Sequence, residues 1–269
     1  MEYIAEIIKY IIIGIVQGIT EILPISSSGH LLLVYKVINI TEQNQLNLTI
    51  FLHLASSIAL CIYFKDKIYK ILKGSFNYLR NKTNKEDFMV LLYLIFSSIP
   101  IAITGIILKP IMEKHFTNPY ILSLGFFITS IVLLTIDNIK INNSKPYTLK
   151  NTLIIGLFQC LSVFPGVSRS GITLFGSKVS KLNSDKGKEF SFLLLIPISL
   201  GSSLLSIFEE GISLFNTSSN LFLYIISMIF AFIFTLLSLK IIFSKIKEKH
   251  FFIFCIYLLI TSFLSLTLL

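Results

Sequence analysis

Glu21, Ser27, His30 and Arg169 are side chains whose types can do chemistry together: a carboxylate, a hydroxyl, an imidazole and a guanidinium. Around them stand Gln17, Ser26, Ser28 and Gly29 in one stretch, and Ser168, Ser170, Gly171 and Thr173 in another. Gln17 and Glu21 are four apart, so they share a helix face with Gly14 and Gly18. Those glycines admit a second helix at close range. A helix starting near Ser28 leaves its first N–H groups unpaired and carries the positive end of its dipole there. Serines just before that start can cap it or join those N–H groups in binding an anion. The second stretch repeats this at Ser168 to Gly171 and adds Arg169, which can grip phosphate or carboxylate with two prongs. Two such helix starts converging would make an anion site, and phosphate fits it best. Acid, base, hydroxyl and arginine are also what phosphoryl transfer to water requires. Arginine holds the phosphoryl oxygens, and a hydroxyl or imidazole attacks or relays a proton. A carboxylate orients the nucleophile or holds a divalent cation such as Mg2+ or Ca2+.

The elements that must position these residues are membrane helices. Of 269 residues 54% are hydrophobic and only 14% charged, with a mean hydropathy of +0.81, where soluble domains carry about 25% charged residues. Apolar stretches of roughly 20 residues recur, enough to cross a hydrocarbon core of ~30 Å. The net charge of +9 sits between these stretches, as in loops beside anionic lipid, so nucleic acid is not an expected partner. Cys61, Cys160 and Cys255 lie inside apolar stretches without ligand spacing and read as packing residues. Glu2 and Glu6 precede the first apolar stretch, and Gln17 and Glu21 lie inside it, so it reads as a retained segment and not a cleaved signal.

Six full spans are expected at about 48–64, 88–108, 119–137, 190–208, 221–243 and 251–268. Two further apolar regions, about 4–38 and 151–180, are broken by polar residues and by Pro24 and Pro165. The pieces after the breaks can cover only about half a bilayer, so each region reads as a re-entrant pair of half-helices. Loop charge orients them. Basic connections at 65–85 and 240–250 should be cytoplasmic, and the acidic 209–220 connection should be outside. Walking from these anchors puts both chain ends outside and both flanks of the second broken region inside.

Each broken region is followed by three spans, an inverted-topology repeat over about 4–137 and 151–268 within a single membrane domain, 1–269. A shift of 142 (156 minus 14) lays GIVQGITEILPISSSGH over GLFQCLSVFPGVSRSGI, matching Gly14 with Gly156, Gln17 with Gln159, Ser26 with Ser168, Ser28 with Ser170 and Gly29 with Gly171. Repeats of this kind place a shared site near the midplane, where the broken helices meet.

Plainer roles compete at every position. Serine and threonine in membrane helices often bond back to their own backbone. Pro24 and Pro165 read as helix breakers. His53 reads as an interhelical hydrogen bonder, His115 and His250 as solvated, and Glu189 as an interfacial charge. Glu21 alone could join two helices, but an intramembrane carboxylate costs at least ~2.5 kcal/mol and is a functional candidate by default.

With QGITEILPISSSGH (17–30), PGVSRSGIT (165–173) and EFSFLL (189–194) in view, the chain resembles the undecaprenyl-diphosphate phosphatases of the bacitracin-resistance family. The resemblance covers almost the whole chain. It implies an enzyme of the bacterial plasma membrane, multi-pass, acting at the outer face on undecaprenyl diphosphate. The products would be undecaprenyl phosphate and inorganic phosphate, recycling the carrier lipid for peptidoglycan synthesis and conferring bacitracin resistance. By motif, the acidic element falls on Gln17 and Glu21, the serine-histidine element on Ser26, Ser27 and His30, and the phosphate-gripping element on Ser168, Arg169, Ser170 and Thr173. Some members carry Glu at the first acidic position. Here it is Gln17, so a metal at Glu21 would need further ligands from the substrate diphosphate. The nucleophile, Ser27 or His30, stays open, and a homodimer is compatible with the sequence.

A second family of membrane lipid phosphatases is excluded on residues. Its SRx5Hx3D element requires His six places past Arg169, where Phe175 stands. The same architecture also suits a transporter or flippase of a phosphorylated polyprenyl lipid, which needs the anion site but no nucleophile.

Overall fold

The computed structural model describes residues 2–115, 117–136, 138–139, 141, 145–210, 221–247 and 250–269. Within them the chain forms α1 (Glu2–Ile22), α2 (Ser27–Val37), α3 (Glu42–Tyr63), α4 (Lys65–Asn81), α5 (Lys85–His115), α6 (Pro119–Ile136), α7 (Leu149–Gln159), a 3₁₀ turn (Cys160–Val163), α8 (Arg169–Val179), α9 (Ser184–Glu210), α10 (Leu221–Ser244) and α11 (Phe251–Leu268). It is a polytopic all-α membrane protein, and the described residues form no strand. Most of the acidic 209–220 connection lies outside the described residues, as do Lys140, Glu248 and Lys249.

Among the described residues seven helices are long and apolar enough to cross a membrane, against six expected. The seventh is α1, which was expected as the first half-helix of a re-entrant pair and instead runs 21 residues. Gln17 and Glu21 lie within it on one face, where Gln17 Nε2 donates to Glu21 Oε2 at 3.2 Å. The helix stops only at Ile22, before Pro24, whose ring and missing N–H disfavour continuation. The pieces after the two breaks are half-length, as expected: α2 and α8 have 11 residues each. The 65–85 connection is mostly α4, which packs beside α5.

Helices from the two halves of the chain pack on one another. α1 lies against α10 and α7 against α5, α3 meets α9 and α10, and α6 meets α11. Gly14 and Gly18 face the α10 backbone so closely that a Cβ at either would collide with the carbonyl of Ser227 or Ala231. This is the close approach their spacing allowed. Polar side chains bridge the same seams: Ser227 Oγ donates to Tyr10 O at 2.6 Å, Thr235 Oγ1 to Ser56 Oγ at 3.1 Å, and Ser262 Oγ to Ser123 O at 2.9 Å. In lipid such contacts are worth ~0.6 kcal/mol each on average, so close packing contributes most of the cohesion. The cysteines are free, and Cys255 sits in the α6–α11 seam beside Ser130.

Candidate active site

The two breaks meet. Ser170 Oγ donates to Leu23 O at 3.2 Å, joining the start of α8 to the break after α1. Both half-helices carry the expected serine cap: Ser26 Oγ accepts from Gly29 N at 3.4 Å and Ser168 Oγ from Gly171 N at 3.2 Å. Their backbones differ. Ser168 is extended, with φ −75 and ψ 116, whereas Ser26 has φ 70 and ψ 98, a region L-residues rarely adopt and hold only when their surroundings enforce it.

His30 is what enforces it. Its Nδ1–H donates to Ser26 O at 2.7 Å, its backbone N donates to the same oxygen at 3.2 Å, and its Nε2 sits 2.6 Å from Tyr257 Oη. The His30 ring also stacks on Tyr257 at 5.5 Å. With both ring nitrogens engaged, His30 is not poised to attack, and it is absent from the cavity lining.

The next residue, Ser27, is aimed at Glu21. Ser27 Oγ donates to Glu21 Oε2 at 2.5 Å. The same carboxylate oxygen accepts from Gln17 Nε2 and lies 3.4 Å from His53 Nδ1. Gln17 also reaches Ser56 Oγ at 3.4 Å, which fixes α1 against α3 behind the carboxylate. Glu21, Gln17 and Ser27 are all buried.

Glu21, Ser26, Ser27 and Ser28 of the first break and Ser168, Arg169 and Ser170 of the second line one cavity of about 120 Å³. Arg169 Nη1 donates to Ser199 Oγ of α9 at 2.7 Å, which sets its direction. The remaining expected residues sit elsewhere. Gln17 stands behind Glu21, and Gly29 packs against Phe126. Gly171 packs against Ser168 and Pro24, while Thr173 bonds back to Arg169 O at 3.0 Å, the plainer role for a hydroxyl in a helix. Three residues not counted among the candidates touch the site: His53, read as an interhelical hydrogen bonder, lies beside Glu21 at the edge of the cavity, Ser199 contacts Arg169, and Tyr257 contacts His30. Only His53 carried a signal, as an ionisable residue within a span.

A second, largely apolar cavity of about 460 Å³ opens beside the first between α5 and α9. It shares Arg169, Ser162 and Val163 with the polar one and ends at the Lys109–Glu209 ion pair. Pro100 and Pro197 lie inside these two helices, and Gly105 and Gly201 leave open space in the groove. The arrangement joins a phosphate-sized polar cavity to a hydrocarbon-lined groove.

Divalent cations are held by clustered carboxylate, imidazole or thiolate ligands. Among the described residues no group of three or more His, Cys, Asp or Glu side chains could hold one, and Glu21 is the one carboxylate in the polar cavity.

The family model for bacitracin resistance protein BacA matches residues 10–264. An undecaprenyl-diphosphatase of Thermosipho melanesiensis is 41% identical over 259 residues, covering 96% of this chain and 98% of that protein. One from Acholeplasma laidlawii is 37% identical over 278 residues, covering 100% and 99%, and one from Thermosipho africanus is 38% identical over 258 residues. With both breaks, the cavity and nearly every span inside the matched length, the chain belongs to the bacitracin resistance protein BacA family.

Proposed function

We propose that the chain hydrolyses undecaprenyl diphosphate to undecaprenyl phosphate and inorganic phosphate, with Ser27 as the attacking hydroxyl and Glu21 as its base. The observation that carries this is the 2.5 Å bond from Ser27 Oγ to Glu21 Oε2, in a cavity that also holds Arg169. A transporter has no use for a hydroxyl aimed at a base. Ser27 Oγ attacks the terminal phosphorus as its proton passes to Glu21. The bridging P–O bond breaks, undecaprenyl phosphate leaves with the proton that Glu21 took, which restores the carboxylate, and the phosphoryl group stays on Ser27. Water, deprotonated by Glu21, then attacks that phosphorus, and phosphate departs as Ser27 regains its proton. Arg169 and the serines of both breaks hold the phosphoryl oxygens, where charge stabilisation supplies most of the catalysis. His53 and Gln17 hold the carboxylate from behind. The groove between α5 and α9 receives the first isoprene units.

Purified protein incubated with undecaprenyl diphosphate should release phosphate, and Glu21→Gln should cut the rate by about 10²–10⁴-fold, the range of general base catalysis. A variant within threefold of wild type would reduce Glu21 to a packing role and remove the mechanism.

A divalent cation such as Mg2+ or Ca2+ would meet one protein carboxylate here, and the lipid diphosphate would complete its shell. The steps above assign none of their bonds to it. Gln17→Glu adds a carboxylate one turn away and is expected to lower the Mg2+ concentration for half-maximal rate by about tenfold, because ligand charge count tunes affinity. An unchanged titration would remove Glu21 from any cation shell.

We further propose that the chain forms two inverted repeats, 4–137 and 151–268, with the polar cavity open to the outer face of the bacterial plasma membrane. Paired packing of α1 on α10 and of α7 on α5 supports the repeats, and loop charge supports the orientation. In a background lacking the native cysteines, Thr41→Cys should react with an impermeant thiol reagent on intact cells and Thr83→Cys should not. The reverse pattern would invert the topology.

A further inference from the structure

α4 has three faces, and only one touches the protein. Ile71, Gly74 and Ser75 are buried, Gly74 lies against Asp87 of α5, and Tyr78 stacks on Phe88 at 4.8 Å. At its start Lys67 Nζ pairs with Glu189 of α9 at 2.8 Å. These contacts fix the helix in rotation. The second face is a ridge of Tyr69, Leu72, Phe76 and Leu79, between 55% and 64% exposed. Their spacing of three, four and three residues puts them on one stripe about 15 Å long. Beside it runs a third stripe of exposed Lys70, Lys73 and Arg80, with Lys73 Nζ 5.4 Å from the centre of the Tyr69 ring. Over 65–82 there are six basic residues against Asp66 alone.

With 17 residues and this charge, α4 is not among the helices able to cross a membrane. Its neighbours α3 and α5 are, and they end and begin beside it. We propose that α4 lies in the membrane–water boundary and binds anionic phospholipid headgroups. The apolar ridge enters the acyl region, and Lys70, Lys73 and Arg80 face the phosphates. A helix with an apolar stripe flanked by cations has the form of an interfacial anchor, whose binding combines buried apolar area with attraction to anionic lipid. Each basic side chain near an anionic surface adds to that attraction, and salt weakens it. The ridge alone would suit any bilayer. The adjoining cationic stripe is what selects charge.

The chain contains no Trp, so Phe76→Trp gives a single reporter on the ridge, and Leu72→Trp a second if the first misfolds. The protein is reconstituted in phosphatidylcholine vesicles containing brominated phosphatidylglycerol or, at equal mole fraction, brominated phosphatidylcholine. The expected result is blue-shifted emission, quenched at least about twofold more strongly by the anionic quencher. That preference should vanish when Lys70→Gln, Lys73→Gln and Arg80→Gln are combined, and should shrink in ~1 M salt, where screening acts within ~3 Å. Equal quenching by the two lipids would reduce the face to ordinary acyl boundary and overturn the proposal. Water-like emission without quenching would take α4 out of the bilayer and overturn it as well.

Discussion

Ser27→Ala is expected to lower phosphate release by about 10⁴-fold or more, the scale seen when a nucleophile is removed, while binding of the diphosphate lipid persists. The side chain is buried and small, its Oγ donates to Glu21, and Arg169 with the serines of the second break remains to hold the anion. His30→Ala is the necessary comparison. It removes the bond that holds Ser26 at positive φ, so Ser27 loses its aim but not its hydroxyl. A loss of only about 10²-fold is expected, in line with the cost of misplacing a reacting group. Rates measured for both variants on one lipid preparation decide the matter. If Ser27→Ala hydrolyses at full rate and His30→Ala is dead, the imidazole is the nucleophile.

Arg169→Lys is expected to cost about 10²-fold or more in rate, the scale associated with arginine in phosphoryl transfer, and to weaken lipid binding where Ser27→Ala does not. The charge is unchanged. What is lost is geometry: a planar fork can bond Ser199 through Nη1 while presenting its other N–H groups to phosphoryl oxygens, and an ammonium on a flexible stem cannot do both. Ser199→Ala should therefore reproduce part of the loss, because it frees the guanidinium without removing it. The check is a pair of measurements, the steady-state rate and a lipid-binding isotherm for each variant. Normal kinetics for Arg169→Lys would mean that a point charge suffices and that the two breaks need not converge on the phosphate.

What could be read in the sequence was local. Pro24 and Pro165 mark the breaks, and the serines before Gly29 and Gly171 mark the capped starts of α2 and α8. These signals depend on residues within a few places of one another, where capping and proline rules act. Gly14 and Gly18 likewise foretold a close helix neighbour, though not that it would be α10. The unread parts are tertiary. Glu21 meets His53 only because α1 lies on α3, and the partners Gln17 and His53 are 36 residues apart. Tyr257 reaches His30 across 227 residues, and no periodicity announces that contact. The length of α1 was not legible either: Pro24 marks where it stops, but the full 21-residue run before that break, packed against α10, was expected as a half-helix.

Where the phosphoryl group goes when the lipid leaves identifies the nucleophile directly. Enzyme mixed with undecaprenyl diphosphate carrying a labelled terminal phosphate should be quenched within a single turnover and its peptides separated. The label should appear on Ser27, more strongly in Glu21→Gln if water activation slows more than attack, and be missing from Ser27→Ala. Label on His30, or turnover with no labelled peptide at any quench time, would contradict attack by Ser27.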